Sequence, residues 1–201
     1  MIKFKINDQQ VQAQPGWTVL ETARQHGINI PTLCYHEAVE PSGACRLCVV
    51  ELREGDWSKV VISCMYPVAE GLNVYTDSQR VKNVRRWILE MLLAECPASK
   101  EIQALAAEYG VGSTRFAVHN PEEQCILCGL CSRVCAQVVG ANAISTVGRG
   151  VHKQIGAPYM IPTDKCVACG CCVTVCPTGA MRSRFDAVRG VPKVVLAHGA
   201  R

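Results

Sequence analysis

Aromatic residues make up only 5% of the 201 positions, so the fold cannot rest on a core of large rings. Charged residues are also sparse, at 19%, but 49% of the chain is hydrophobic, which excludes a disordered polyampholyte. No run of eighteen apolar residues exists, which excludes a conventional membrane-spanning helix. The opening MIKFKINDQQ has no apolar stretch and no cleavage site of the kind a secretory leader needs. Nucleotide-binding fingerprints are missing too. Gly110-Val111-Gly112 lacks the third glycine of a dinucleotide turn, and there is no phosphate-binding loop. The five histidines, His26, His36, His119, His152 and His198, have neither metal nor triad spacing and read as ordinary surface or loop residues. We therefore expect no catalytic residue on this chain.

What is abundant is cysteine, with fourteen residues. Without a secretion signal, and with the thiols gathered in C-x2-C groups, a disulfide framework gives way to metal ligation in a reducing compartment, the cytoplasm. The formal charge is +4. A centre held by four thiolates carries about −2, so three of them bring the loaded protein to about −2. The apparent basicity is no argument for nucleic acid.

Two stretches repeat one pattern 41 residues apart: Cys125, Cys128, Cys131, Cys135 and Cys166, Cys169, Cys172, Cys176, the second followed by Pro177. A tight C-x2-C-x2-C turn offers thiolates to three corners of a cubane. The fourth cysteine, expected to open a helix pointing away, reaches the other centre. This assigns Cys125, Cys128, Cys131 and Cys176 to one [4Fe–4S] cluster. Cys166, Cys169, Cys172 and Cys135 take the second. Structural zinc uses four ligands in two pairs, fewer than this repeat supplies. Gly129 and Gly170 suit loops wrapped closely around sulfide.

A different set, Cys34, Cys45, Cys48 and Cys64, has the spacing C-x10-C-x2-C-x15-C. It departs from the plant-type pattern, yet four thiolates on a loop and a strand end suit a [2Fe–2S] cluster. A Rieske centre is rejected, because Cys48 stands where its second histidine belongs. Cys171 breaks the ligand register and reads as a free thiol beside a cluster. Cys96, before Pro97, reads as a buried structural cysteine.

Around these thiols the chain divides into an α/β unit over 1–77, a helical connector over 78–115, a cysteine-rich unit over 116–184 and a tail over 185–201. Ile2, Phe4 and Ile6 alternate as a half-buried strand, and residues 9–14 return as a second. Thr18 and Glu21 form a capping box, and Gly27 stops that helix. Residues 47–52, 60–63 and 72–75 read as strands. Ser78 caps a helix with Val81, Val84, Trp87, Ile88, Met91 and Leu92 on one face. Arg80, Lys82, Arg85 and Arg86 fall mostly on the other side, a solvated face or a dock for an acidic partner. Pro97 breaks this helix, residues 101–109 form another, and the connector is expected to have its own small core. In the tail, VPKVVL reads as a docking strand or a frayed end.

Pro31 to His36 around Cys34, then Gly43 to Glu51 around Cys45 and Cys48, then Cys64, resemble the N-terminal ferredoxin region of a family. It contains the large iron–sulfur subunit of respiratory complex I, the [FeFe]-hydrogenases, and the small diaphorase subunits of NAD-linked hydrogenases and formate dehydrogenases. Gly148 to Gly150 and Ile155 to Pro158 are similar to it as well. The resemblance implies an α+β chain: a β-grasp [2Fe–2S] ferredoxin domain, a short helical connector and a two-cluster [4Fe–4S] ferredoxin-like domain. It implies an electron-relay subunit between a flavin-containing, NAD(P)-linked subunit and a catalytic redox subunit, with no nucleic acid and no direct membrane insertion. A free, soluble polyferredoxin-like carrier is the alternative. Many members bind a further cluster in the connector through one histidine and three cysteines. Here only Cys96 lies between Cys64 and Cys125, and no histidine between His36 and His119, so that cluster is expected to be absent. Because the sequence stops at Arg201, neither a hydrogenase nor a molybdopterin domain is expected to follow.

Overall fold

The alternation of Ile2, Phe4 and Ile6 with lysine and asparagine becomes β1 (Ile2–Ile6), which turns directly into β2 (Gln9–Ala13). The two-residue turn needs left-handed backbone at both positions, and Asn7 (φ 50°) and Asp8 (φ 64°) are among the few side chains that tolerate it. This computed structural model describes residues 1–161 and 163–189. The helix α1 (Val19–Gln25) begins at Thr18, whose hydroxyl accepts from Glu21 N–H while the Glu21 carboxylate accepts from Thr18 N–H at 2.7 Å. Gly27 follows its end at φ 70°.

Strands β3 (Val49–Glu54) and β4 (Trp57–Ile62) pair antiparallel, and β5 (Asn73–Tyr75) lies parallel to β1 and antiparallel to β3. The sheet order is β2-β1-β5-β3-β4 with α1 packed on one face, the β-grasp arrangement. Phe4, Ile6, Val11, Leu20, Val50 and Val74 fill the space between. β3 starts two residues later than the pattern suggested, because Leu47 and Cys48 belong to the loop that presents the thiols.

The first four residues of β3 are all buried. A strand buried on both faces is covered twice. Val50 and Leu52 face the α1 core, whereas Val49 joins a second core with α2 (Gln79–Glu95) and α3 (Lys100–Glu108). Ser78 and Ser99 cap these helices, accepting from the N–H groups of Val81 and Ile102. The connector has no core of its own. Val81, Ile88, Leu89 and Ile102 share one cluster with Leu47 on one side and Leu130, Val134 and Met181 on the other. A two-helix segment is too small to bury both faces of its apolar stripe, so its neighbours complete it.

The cysteine-rich region adds α4 (Leu130–Gln137), the hairpin β6 (Ser145–Val147) with β7 (Gln154–Gly156), α5 (Cys171–Thr174) and α6 (Ala180–Arg189). α6 runs past residue 184, where the tail was expected to begin. Met181 and Phe185, one turn apart, are both buried and hold it in place. Residues 191–196, read as a docking strand or a frayed end, lie outside the described residues. Among the described residues, no helix is long and apolar enough to cross a membrane.

The basic face expected on α2 is not a solvated face throughout. Arg85 is 3% exposed, and its guanidinium donates to the carbonyls of Leu47 (3.2 Å) and Val49 (2.8 Å). Arg86 donates to the Tyr109 carbonyl, Arg80 to Ser58, and Lys82 pairs with Asp77. Arg85 follows Val81 by four residues and precedes Ile88 by three, so helical periodicity sets it beside the apolar stripe, and the carbonyls flanking Cys48, which have no strand partner there, accept from its guanidinium. Arg85→Leu should therefore destabilise the chain by about 1–3 kcal/mol for each carbonyl left unpaired. Urea unfolding of the iron-loaded chain checks this. Unchanged stability would mean that water satisfies both carbonyls.

Candidate metal centres

Three segments of the β-grasp unit bring four thiols together. Cys34 lies on the loop after α1, Cys45 and Cys48 precede β3, and Cys64 follows β4. All four are at most 8% exposed. The Cys45 N–H donates to Cys34 Sγ at 3.3 Å. Ser63 fixes the second half, its N–H and hydroxyl both donating to the Cys48 carbonyl. Left-handed backbone at Gly43 (φ 61°) and Arg46 (φ 61°) curls the loop. A Cβ at Gly43 would lie 2.6 Å from Ile62 Cδ1 and 2.7 Å from Met65 Sδ, so glycine also answers a close approach.

The thiols stand in two hydrogen-bonded pairs. A bond from Cys45 holds Cys34 down at about 5, and one from Cys64 holds Cys48 down at about 6. Cys45 and Cys64 are correspondingly pushed up, by donating those bonds and by burial. Binding iron requires all four as thiolates, so loading releases the protons of the donor members.

The two repeats fold alike. Leu127 (φ 51°) and Gly129 (φ 70°) in the first match Ala168 (φ 55°) and Gly170 (φ 75°) in the second. Left-handed residues alternating with ordinary ones turn successive N–H groups toward one concavity, a nest for anionic sulfur. The Leu127 N–H donates to Cys125 Sγ at 3.4 Å. The backbone of Leu130, Ser132 and Val173 does the same for Cys128, Cys131 and Cys172. Leu127 and Ala168 adopt this conformation without being glycine, at about 1–2 kcal/mol each.

The surroundings interleave the repeats. Cys125, Cys128 and Cys131 act electrostatically on one another, and each also feels Cys176 from the other repeat. Cys172 feels Cys169, Cys166 and, from the first repeat, Cys135. Cys135, Cys166, Cys169 and Cys172 line a cavity with Cys171, Ile144 and Phe185. Burial pushes Cys128 and Cys172 up to about 11 and Cys131 to about 12. Bare thiolates are poorly accommodated there; a group carrying positive iron offsets the desolvation. Among the described residues, no three His, Cys, Asp or Glu side chains are grouped as one ion would need. Thiols spread around a cavity and backed by inward N–H groups fit a polyatomic cluster.

The fourth cysteine does not open a helix. The left-handed turn at Gly129 starts α4, so Cys131 is its second residue and Cys135 lies one turn on, near its end. Cys176 lies beyond α5. Four residues of helix keep Cys131 and Cys135 on one face, which is how Cys135 reaches the second cavity.

Two side chains that the motif reading passed over hold these loops. Glu123 accepts from the Cys125 N–H at 2.8 Å and pairs with Arg184 of α6 at 2.8 Å. Arg133, between Cys131 and Cys135, donates to the Cys34 carbonyl at 2.8 Å. The repeat carried a signal for the second, since the residue 41 positions on is Thr174.

A β-grasp unit with four buried thiols, followed by two interleaved C-x2-C-x2-C loops, defines a ferredoxin-type protein built for several iron–sulfur centres. The profile of the 2Fe-2S iron-sulfur cluster binding domain matches residues 1–79, and that of the 4Fe-4S dicluster domain matches 124–180. The G subunit of NADH-quinone oxidoreductase from Rickettsia bellii (strain RML369-C) is 30% identical over 207 residues, covering 92% of this chain. Its counterpart in Rickettsia prowazekii (strain Madrid E) is also 30% identical. The chain spans only 30% of the length of these relatives. A chain of the NAD+-reducing [NiFe]-hydrogenase, solved in the H2-reduced state, is 31% identical with a TM-score of 0.75. That match covers 89% of this chain and 86% of the other. This chain belongs to the family of iron–sulfur subunits that includes the G subunit of NADH-quinone oxidoreductase and the matched chain of the NAD+-reducing hydrogenase.

Cys96 is fully buried, its thiol 2.9 Å from the Leu92 carbonyl, and burial pushes it up to about 12. A serine can make the same hydrogen bond. Cys96→Ser should leave the iron content where the unaltered chain has it. Loss of four irons on elemental analysis would make Cys96 a ligand.

Proposed function

We propose that this chain is an electron-relay subunit of a multisubunit oxidoreductase, passing single electrons between a flavin-containing, NAD(P)-linked subunit and a catalytic redox subunit such as a hydrogenase or formate dehydrogenase. One observation carries the reading: the three thiol sets are contiguous. Cys34 lies close enough to Cys128 for their charges to interact, and α4 carries both Cys131 and Cys135. A line of centres within one small chain suits conduction, whereas a diffusing shuttle needs one or two.

On this reading Cys34, Cys45, Cys48 and Cys64 hold a [2Fe–2S] cluster. Cys125, Cys128, Cys131 and Cys176 hold one [4Fe–4S] cluster, and Cys166, Cys169, Cys172 and Cys135 the other. The clusters supply reversible one-electron chemistry when bound. The protein's part is to fix the thiolates, aim N–H groups at them and exclude water. The chain itself is non-catalytic, works in the cytoplasm, and divides at 77 and 115 into the β-grasp, connector and dicluster segments, the last running through α6. The connector carries no cluster.

The surface favours a covered subunit over a free carrier. A groove of about 710 Å3 runs between β4 and α2 beside Cys45, lined by Val60, Ile62, Met65, Trp87 and Met91. Met65 and Trp87 are each 49% exposed, an apolar patch that a freely soluble carrier would not keep.

Anaerobic purification from the native host, with mass spectrometry of what stays bound, tests the reading. A complex with a flavoprotein and a metal-containing catalytic subunit, and about ten irons on this chain, is expected. A lone 21.8 kDa chain with that iron content would make it a soluble polyferredoxin-like carrier. The crossed ligation has its own check. Cys176→Ala should damage the cluster at Cys125, and selective loss of the other [4Fe–4S] EPR signal would reverse the assignment.

A further inference from the structure

Arg133 joins two of the centres. It lies on α4 between Cys131 and Cys135, yet its guanidinium reaches away from the repeat to the β-grasp unit. Nη2 donates to the Cys34 carbonyl at 2.8 Å and Nη1 to the Glu40 carbonyl. One turn further along α4, Gln137 Oε1 accepts from the Glu40 N–H at 2.9 Å. The loop at 34–40, which carries the first ligand of the β-grasp set, is thus pinned to the helix that carries ligands of the other two.

The charge of Arg133 is not spent on a carboxylate. Both partners are neutral carbonyls, and among the described residues no acidic side chain lies within ion-pair distance. Its Nε is buried and has no hydrogen-bond partner. A half-buried cation whose spare donor is itself shut away from water is unfavourable unless negative charge lies nearby. On the proposed ligation, thiolate-held centres flank it through Cys34 on one side and Cys131 on the other, and they would supply that charge. The loop fold does not require an arginine here. At the equivalent position of the second repeat stands Thr174, whose hydroxyl returns to its own loop at the Gly170 carbonyl.

We propose that Arg133 is the coupling residue between the centre at Cys34 and the centre at Cys125, Cys128 and Cys131: its fork docks the one on the other, and its positive charge raises the reduction potential of both. The proposal rests on the relay reading above. Reduction adds negative charge, which a nearby cation stabilises, so the sign is fixed.

The test uses the full, iron-loaded chain, with iron analysis, EPR-monitored redox titration and amide exchange on Arg133→Gln and Arg133→Lys. Arg133→Gln should keep its iron and show lower midpoints for the [2Fe–2S] and the first [4Fe–4S] cluster, with the smallest change at the second. Arg133→Lys keeps the charge and loses the fork. It should hold the midpoints near those of the unaltered chain while exchange at 34–40 speeds up. Unchanged midpoints in a fully loaded glutamine variant would overturn the proposal, as would a shift as large at the second [4Fe–4S] cluster. If the glutamine variant loses iron, the lysine variant decides: faster exchange with retained midpoints supports the proposal, and unchanged exchange overturns it. An unaltered chain with no [2Fe–2S] signal would overturn the relay reading, and this proposal with it.

Discussion

A thiolate among apolar side chains is tolerable only when something positive faces it. Eight of the cysteines proposed as ligands are buried under that constraint. Burial first, and then the charge of neighbouring cysteines, drives the thiols of Cys128, Cys131 and Cys172 well above their ordinary range, so the polypeptide by itself disfavours the very charges it must present. The backbone offsets part of this with N–H groups turned inward, and for that it accepts left-handed conformations at Leu127 and Ala168. Strain that recurs at equivalent positions of two repeats, on different side chains, reflects the demands of the loop and not of either residue.

The same constraint explains why the segments do not fold as separate bodies. The connector's apolar stripe is completed by Leu47 and Val49 from one side and by Leu130, Val134 and Met181 from the other. Two arginines tighten this arrangement at one place. Arg85 of α2 bonds the carbonyls on either side of Cys48, and Arg133 of α4 bonds the carbonyl of Cys34. Both guanidinium groups act on backbone that carries the β-grasp thiols. Hydrogen bonds from a charged donor in a low-dielectric surround are among the stronger ones available, and they fix a loop that has no ladder of its own.

What could be read from sequence was what depends on local spacing. The capping box at Thr18 and Glu21 and the glycine stop at Gly27 are each contained within a few residues, and the structure has them where the pattern put them. Less legible were features set by partners far along the chain. Charge groups Arg85 with the other basic residues, yet it shares a face with Val81 and Ile88, and the unpaired carbonyls of another segment are what make its burial tolerable. The start of α4 was displaced because the left-handed turn at Gly129, not the last cysteine, decides where helical backbone begins. Arg133 is inside the motif, but its partners lie 93 and 99 residues away.

On the proposed ligation, α4 has a consequence beyond packing. It places Cys131 at one [4Fe–4S] centre and Cys135 at the other, one helical turn apart, and an α-helix resists stretching because every residue is tied to its neighbours by hydrogen bonds. Arg133, between those two cysteines, ties the same helix to the loop of Cys34. On that proposal the spacing of the centres depends on one rigid element and one forked side chain. Electron transfer is steeply sensitive to separation. A subunit whose work is to pass electrons in a fixed order gains most from this economy, whereas a protein that only stored iron or sensed oxidation would have no reason to tie its proposed centres together through one helix.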